Sequence, residues 1–276
     1  MSGNRNRSRT RPAHPWTIDK LEFLEKYVPG FLTACKRSWY TCYVDGFAGP
    51  GTNTDTAGVV RYGSPLIALN AVGAAPDQKQ FDTLHFVEAD PKTANTLREN
   101  IKDHPKASRV RQYQQDFNEV IPDILGQIDQ RTPTLFLLDP DDLSLKWSTV
   151  EQIGQRGKAD VFILVSASGV HRNINIPATH SRITEFFGSE SWLTVKSQLE
   201  GGEMPGISGF AAFLELYTDQ LGSLGFDVSD YRIIARNSKN APMHGLVFAS
   251  KHPAALNIAN HILKGITSQG QDTLGF

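Results

Sequence analysis

Apolar runs and amphipathic stretches alternate along most of the chain. "TLHFVEAD", "PTLFLLDP" and "ADVFILVSAS" read as strands rich in apolar and β-branched residues, and the more polar "RVRQYQQD" as a further strand. Between them "PKTANTLRENIKDHP", "FNEVIPDILGQID" and "WSTVEQIGQRG" have helical spacing, the second despite Pro122. Upstream, Ile18, Leu21, Leu24, Tyr27 and Val28 predict a helix ending near Pro29, with a second short helix from Phe31 to Arg37. "WYTCYVD" then predicts a buried strand ending at Asp45, and residues 64 to 73 a helix with Ser64 as N-cap and Pro65 in its first turn. After residue 170 the pattern becomes polar with helical pieces, "SGVHRN" reading as a loop. Two strands, "YRIIAR" and "MHGLVFAS", and a helix, "PAALNIANHILKG", close the chain. Strands alternating with helices predict an α/β fold, a mostly parallel central sheet with helices on both faces. The unbroken runs in "LFLLD" and "VFILV" suit strands buried on both sides.

In such sheets ligands sit beyond the carboxyl ends of the strands. Here those ends carry Asp45, Glu88, Asp116 and Asp139, one acid after each of four successive strands. Any one of them reads equally as a helix cap; four in order, the first followed by "GFAGPG", form a pattern. A nicotinamide-binding loop wants G-x-G-x-x-G opening into a helix and an acid about 20 residues on. This loop meets neither condition, and the Gly-Lys-Ser/Thr of a phosphate-binding loop is missing.

Length and charge narrow the partners. At 276 residues the chain fits one large domain, and 39% hydrophobic with 21% charged residues places it among globular rather than disordered chains. The net charge of -1 gives no global field for nucleic acid, but "RNRSRTRP", residues 5 to 12, carries four arginines and no acid. A disordered, solvated arm over residues 1 to 15 and an arm that tracks phosphates both fit. Two cysteines, Cys35 and Cys42, form neither a metal set nor a disulfide scaffold, and a reducing cytoplasm is the expected compartment. His180, His244 and His252 lack metal-like spacing, so no metal site is expected. No apolar run is long enough to span a membrane.

The order of glycine loop and acids resembles the class I S-adenosylmethionine-dependent methyltransferases, which have a Rossmann-like fold. The resemblance implies that Asp45, Gly46, Phe47, Ala48, Gly49 and Gly51 pass under the amino-acid part of the cofactor, with Ser64 closing the loop. It implies that Glu88, beside Ala89 and with Asp90 a close second, accepts from both ribose hydroxyls. Asp116 and Phe117 then meet the adenine, and Asp139 and Pro140 lie where the methyl group leaves. A closer resemblance is to the three-Cys-motif partner (TcmP) family, on "YVDGFAGPG", "GSPLIAL", "HFVEAD", "LFLLDP…W" and "FASKHPAALNIAN", over about residues 18 to 264. That family implies a partner protein with a three-cysteine motif like that of radical-S-adenosylmethionine enzymes.

One position departs from the family. Its Asp-Pro is followed by an aromatic, whereas this chain has "DPDDL", residues 139 to 143. Asp141 becomes a candidate general base beside Asp139, or part of a solvated acidic turn. His171 and Arg172 add a candidate proton carrier and a candidate anion holder. The expected architecture is a basic arm, N-terminal helices over 16 to 38, and a methyltransferase-like domain to residue 276 with an insertion at about 171 to 225. The expected function is methyl transfer to a nucleic acid or nucleotide. The alternative is a non-catalytic subunit that binds nucleic acid or a radical-S-adenosylmethionine-like protein.

Overall fold

The computed structural model describes residues 11–12, 15–55, 57–237 and 239–267. The arginine arm lies outside the described residues except for Arg11 and Pro12. The central sheet contains β1 (Cys42–Asp45), β2 (Thr83–Val87), β3 (Val110–Tyr113), β4 (Thr134–Leu138), β5 (Ala159–Val165), β6 (Asp227–Val228), β7 (Ile233–Arg236) and β8 (Pro242–Ser250). Its order is β7-β8-β5-β4-β1-β2-β3, with β6 pairing β8. The first five strands are parallel; β8 runs antiparallel to both β5 and β7.

Alternate residues of each apolar run feed two cores. Val44, Phe136, Leu138, Val161 and Ile163 face one side, over α4 (Phe117–Gln127), α5 (Trp147–Gly154), α7 (His180–Phe187) and α9 (Gly209–Ser223). Tyr43, Leu135, Leu137, Phe162 and Leu164 face the other, under α1 (Pro15–Ala34), α2 (Ser64–Asn70), α3 (Pro91–Ile101) and α10 (Pro253–Thr267). Both faces are covered, which is why these strands lack the polar alternation of a half-exposed sheet.

Four local expectations are corrected. The predicted break at Pro29 does not occur, and the separate helix from Phe31 to Arg37 is the end of α1. An internal proline costs about 3 kcal/mol. Aromatic burial on both sides of it outweighs that: Phe23 stacks on Phe162 at 4.3 Å, Tyr27 meets Phe248 at 4.8 Å and Phe31 meets Phe81 at 5.7 Å. Each such ring contributes about 1.5–3 kcal/mol on burial. Second, the strand expected from Trp39 begins only at Cys42, leaving Trp39 exposed. Third, Gly63, not Ser64, is the N-cap of α2; Ser64 is its first residue and gives its hydroxyl to the Asp45 carboxylate. Fourth, "SGVHRN" belongs to α6 (Ala167–Asn173), which packs against α9 and β8, rather than to a loop. Helix α8 (Ser191–Glu200) completes the segment after β5.

The long connection after the glycine turn folds as a small antiparallel pair, Thr52–Thr54 with Val60–Tyr62. Arg11–Pro12 add to it in parallel, opposite Asn53 and Thr54. The end of the basic arm therefore runs beside the glycine turn.

Because Phe23 is fully buried in the α1 aromatic stack, Phe23→Ala should lower the unfolding free energy by about 3–5 kcal/mol in urea denaturation. A loss below about 1 kcal/mol would show that α1 is an appendage rather than part of the core.

Candidate active site

β1 and β4 are neighbours and parallel, with Asp45 opposite Leu137. Asp45 ends β1, and Asp139 follows one residue past β4, so the two carboxylates leave adjacent strand ends. Asp45 is fully buried. It accepts hydrogen bonds from the Tyr43 hydroxyl and the Phe47 backbone N–H, both at 3.3 Å, and from Ser64. Burial pushes its carboxyl up to about 6. Ser64, Lys20 and the Phe47 N–H hold it down, and Asp139 adds to the rise. Lys20 supplies the cation. It projects from α1 into this space, buried, and donates to Asp139, whose side chain is 15% exposed. The acids come from strand ends and their counter-ion from a helix more than a hundred residues earlier in the chain than Asp139.

The glycine turn lies beside this pair. Gly46 N–H bonds Leu137 O at 3.0 Å and Ala48 N–H bonds Val87 O at 2.8 Å, tying the turn to both neighbouring strands. Gly49 and Gly51 have positive φ, +62° and +82°. A side chain on Gly51 would press on Leu97 at 2.8 Å, whereas nothing lies within 4 Å of the position a Cβ would take on Gly49. Gly49 is itself buried, but its left-handed backbone borders empty space on the side a Cβ would take, room in which a ligand could meet bare backbone. Glu88 braces it: Oε2 accepts from Gly49 N–H at 3.0 Å and Oε1 from Asp90 N–H at 2.9 Å. Each oxygen keeps another lone pair. Asp90 instead caps α3, accepting from the Thr93 N–H and hydroxyl at 2.8 and 2.6 Å, which leaves Glu88 the acid directed at the turn. Ala89 is exposed between them.

Asp116 caps α4 through Oδ1, which accepts from both Asn118 nitrogens, at 2.7 and 2.9 Å; its residue is exposed. Phe117 is buried beneath the turn, its ring about where a Gly46 side chain would have to go, 2.9 Å away, and 5.8 Å from the Phe47 ring. It props the loop from below.

Beyond Asp139 the chain turns through buried Pro140 and exposed Asp141. Asp142 has the left-handed φ of +54°. Its carboxylate accepts from Arg172 at 2.8 Å and pairs with Arg182 at 3.6 Å. Helix α6 packs so closely that a side chain on Gly169 would collide with it. Arg172 also donates to Ser168 Oγ at 3.1 Å. Arg172, a candidate anion holder, is therefore already paired with an acid of the chain, Asp142. His171 is exposed at the end of α6. Trp147 is buried against Tyr217 as a packing residue.

Two residues of this neighbourhood were not singled out from the sequence. Lys20 sits in "IDKLE", which reads as a solvated stretch of an amphipathic helix. His244, on β8, interacts electrostatically with Asp139, Asp142 and Arg172. Burial, with help from Arg172, lowers its pKa against the pull of the two acids, so the imidazole is neutral at pH 7. Its position at the carboxyl edge follows only from the antiparallel direction of β8, with Gly245 opposite Val165.

No family model matches the sequence, and no curated protein is similar to it. Among solved structures, protein LPL1258 from Legionella pneumophila str. Philadelphia 1, assigned to family model DUF519, matches with TM-score 0.51 at 10% identity over 94% of both chains. Looser matches are TYW2 of P. horikoshii in complex with MeSAdo, with TM-score 0.41, 15% identity and coverage of 87% of this chain and 65% of that one, and cofactor-bound Rv0187 from MTB, with TM-score 0.41, 14% identity and coverage of 86% and 90%. At these identities the likeness is one of fold. The fold is the Rossmann-like class I methyltransferase type: a mostly parallel sheet, helices on both faces and one antiparallel strand beside β5. No described helix is long and apolar enough to cross a membrane.

Asp45 makes stability pH-dependent in a definite direction. Its carboxyl lies near 6 when folded against an ordinary 3.8, so the folded state holds its proton more tightly. The resulting stabilisation is full below about pH 4, is lost as pH rises through 6, and amounts to about 3 kcal/mol. Asp45→Asn cannot titrate. Its stability relative to wild type should therefore rise between about pH 4 and pH 7, read as the difference of urea midpoints. A constant difference across that range would refute the assignment.

Proposed function

We propose that the protein is an S-adenosylmethionine-dependent methyltransferase whose site is completed by α1. The observation that carries this reading is the buried Asp45–Lys20–Asp139 group beside the open, left-handed Gly49. A bare backbone turn, a buried acid below it and a braced carboxylate alongside fit the amino-acid and ribose parts of that cofactor. Asp45 and the turn would hold the amino-acid end, Glu88 the ribose diol through its unused lone pairs, and Asp116, through its uncommitted oxygen, the adenine amino group. Ser64 keeps the Asp45 carboxylate in place. The cofactor supplies an electrophilic methyl group.

The chain's own task is alignment and proton removal. Asp139, fixed by Lys20, would accept a hydrogen bond from the acceptor and set its direction. His244 is neutral at pH 7 and neighbours Asp139, so it is the histidine placed to take a proton beside that carboxylate. Asp141 stands next to that path and Arg172 at its edge. For the acceptor we favour a nucleic acid or nucleotide. The support is the arginine arm, whose last residues, Arg11 and Pro12, lie along the strand that follows the glycine turn.

The motifs that resemble the three-Cys-motif partner family support a second reading, a non-catalytic subunit for nucleic acid or for a radical-S-adenosylmethionine-like protein. What favours it is the "DPDDL" turn, where exposed Asp141 follows the Asp-Pro in place of an aromatic ring and Asp142 is committed to Arg172 and Arg182.

Calorimetry with S-adenosylmethionine decides between them. Saturable binding is expected, and Glu88→Ala should weaken it about 100-fold, as buried hydroxyls lose a charged acceptor worth about 2–3 kcal/mol. No heat and no thermal shift at millimolar cofactor would sink the catalytic reading. Replacing Arg5, Arg7 and Arg9 by alanine should lower affinity for a single-stranded oligonucleotide and flatten its salt dependence, by about 0.7 in log-log slope per lost phosphate contact. An unchanged slope would remove the arm from the interface.

A further inference from the structure

A second concavity opens at the opposite, amino-terminal edge of the sheet. It holds about 200 Å³ between α1 and α10, over the start of β5 and the end of β8. Phe31, Pro133, Ala255 and Ile258 give it apolar walls. Its floor is Asp160, only 8% exposed. The Tyr27 hydroxyl donates to Asp160 Oδ2 at 2.7 Å and Ser250 Oγ to Oδ1 at 2.5 Å. Each carboxylate oxygen keeps a further lone pair. Among the described residues both hydrogen-bond donors to this carboxylate are hydroxyls, and neither is a cation.

Burial raises the Asp160 pKa against Ser250, Tyr27 and His252, so this carboxyl is costly to ionise until a cation is brought to it, and apolar residues of similar volume would pack this edge at least as well. The cations nearby do not fill the role. Lys251 donates to Gly154 O at 2.5 Å and lies over the Phe226 ring. His252 acts on Asp160 only through its charge, from an exposed place at the rim where Lys158 also stands. Cys35 also lines the cavity, but burial, followed by Asp160, pushes its thiol up to about 12, so it is no nucleophile. An acid at the floor of an apolar cleft selects a cation with a hydrocarbon body. The volume is below the roughly 300–1,000 Å³ of sites for drug-sized ligands, which limits the guest to a fragment.

We propose that this cleft binds a small apolar amine, its ammonium group on Asp160 and its body against Phe31, Pro133 and Ile258. The site is separate from the one at the carboxyl edge and does not depend on methyl transfer.

The test is calorimetric titration of the full chain with phenethylamine and with 3-phenylpropionate, its anionic counterpart of similar size. The amine should bind at least about tenfold more tightly than the acid, and Asp160→Asn should weaken amine binding by about tenfold or more, as expected for a desolvated charged hydrogen bond. Ala255→Phe keeps the carboxylate and fills the cleft. It should abolish binding too, and it serves as the test on its own if Asp160→Asn does not fold by circular dichroism. The proposal is overturned if the acid binds as well as the amine, if a folded variant keeps wild-type affinity, or if phenethylamine shows no saturable binding.

Discussion

Asp45 and Asp139 leave adjacent parallel strands and bring two negative charges into one desolvated space, and Lys20 is the cation that makes this tolerable. Like charges in a medium of low dielectric repel strongly, and a buried acid without a counter-ion takes up a proton. The strand ends alone do not solve this: the loops that follow them give Asp45 hydroxyls and N–H groups, and Lys146, the lysine in the loop after β4, pairs with Glu185 instead. The solution is a helix laid across the sheet face, and α1 carries it. Lys20 can hold its place only if α1 is held, which is what the Phe23, Tyr27 and Phe31 rings do on either side of Pro29. The N-terminal helix is thus part of the site and of the core at once, and a break at Pro29 would have separated Lys20 from half of its anchor.

The same neighbourhood is where the molecule spends stability. Asp45 remains a carboxyl near 6 in spite of Lys20, Ser64 and the Phe47 N–H, and two glycines nearby hold left-handed turns. A packed apolar cluster would cost less at this spot. Burial of a charge that structural needs do not explain, next to backbone left open at Gly49, is the usual physical mark of a site shaped for a ligand.

Much of the fold could be read from residue pattern, because strands buried on both faces appear as unbroken apolar runs and the first four strands end at or just before an acid. Asp45, Glu88, Asp116 and Asp139 do lie at one edge of one sheet, since parallel strands put all their carboxyl ends there. What the pattern hid is of one kind. Lys20 sits in a polar stretch of a helix whose partner lies 119 residues away. His244 reaches the edge only through the reversed direction of β8. "SGVHRN" looked like a loop because Gly, Ser and Asn weaken a local helix signal, yet packing against α9 and β8 makes it α6. Pro29 shows the same thing in reverse: a strong local breaker overruled by burial. In each case the deciding contact is distant in sequence, and local spacing carries no information about it.

The turn after Asp139 sets the character of this rim. Asp142 offers a fixed anion that gathers two guanidiniums, Arg172 and Arg182, each about half exposed. Stability does not account for the arrangement: pairs this exposed contribute about 0–1 kcal/mol each, and a left-handed non-glycine residue costs about 1–2 kcal/mol. The two roughly cancel, so what remains is placement. One carboxylate holds two cations at the rim, on the side of His244 and Asp139. These three groups carry one positive charge in surplus, and exposed Asp141 is the acid beside them. On the proposed reading, recognition on this side rests on charge rather than on stacking, and the half-exposed guanidiniums are what an anionic acceptor would meet.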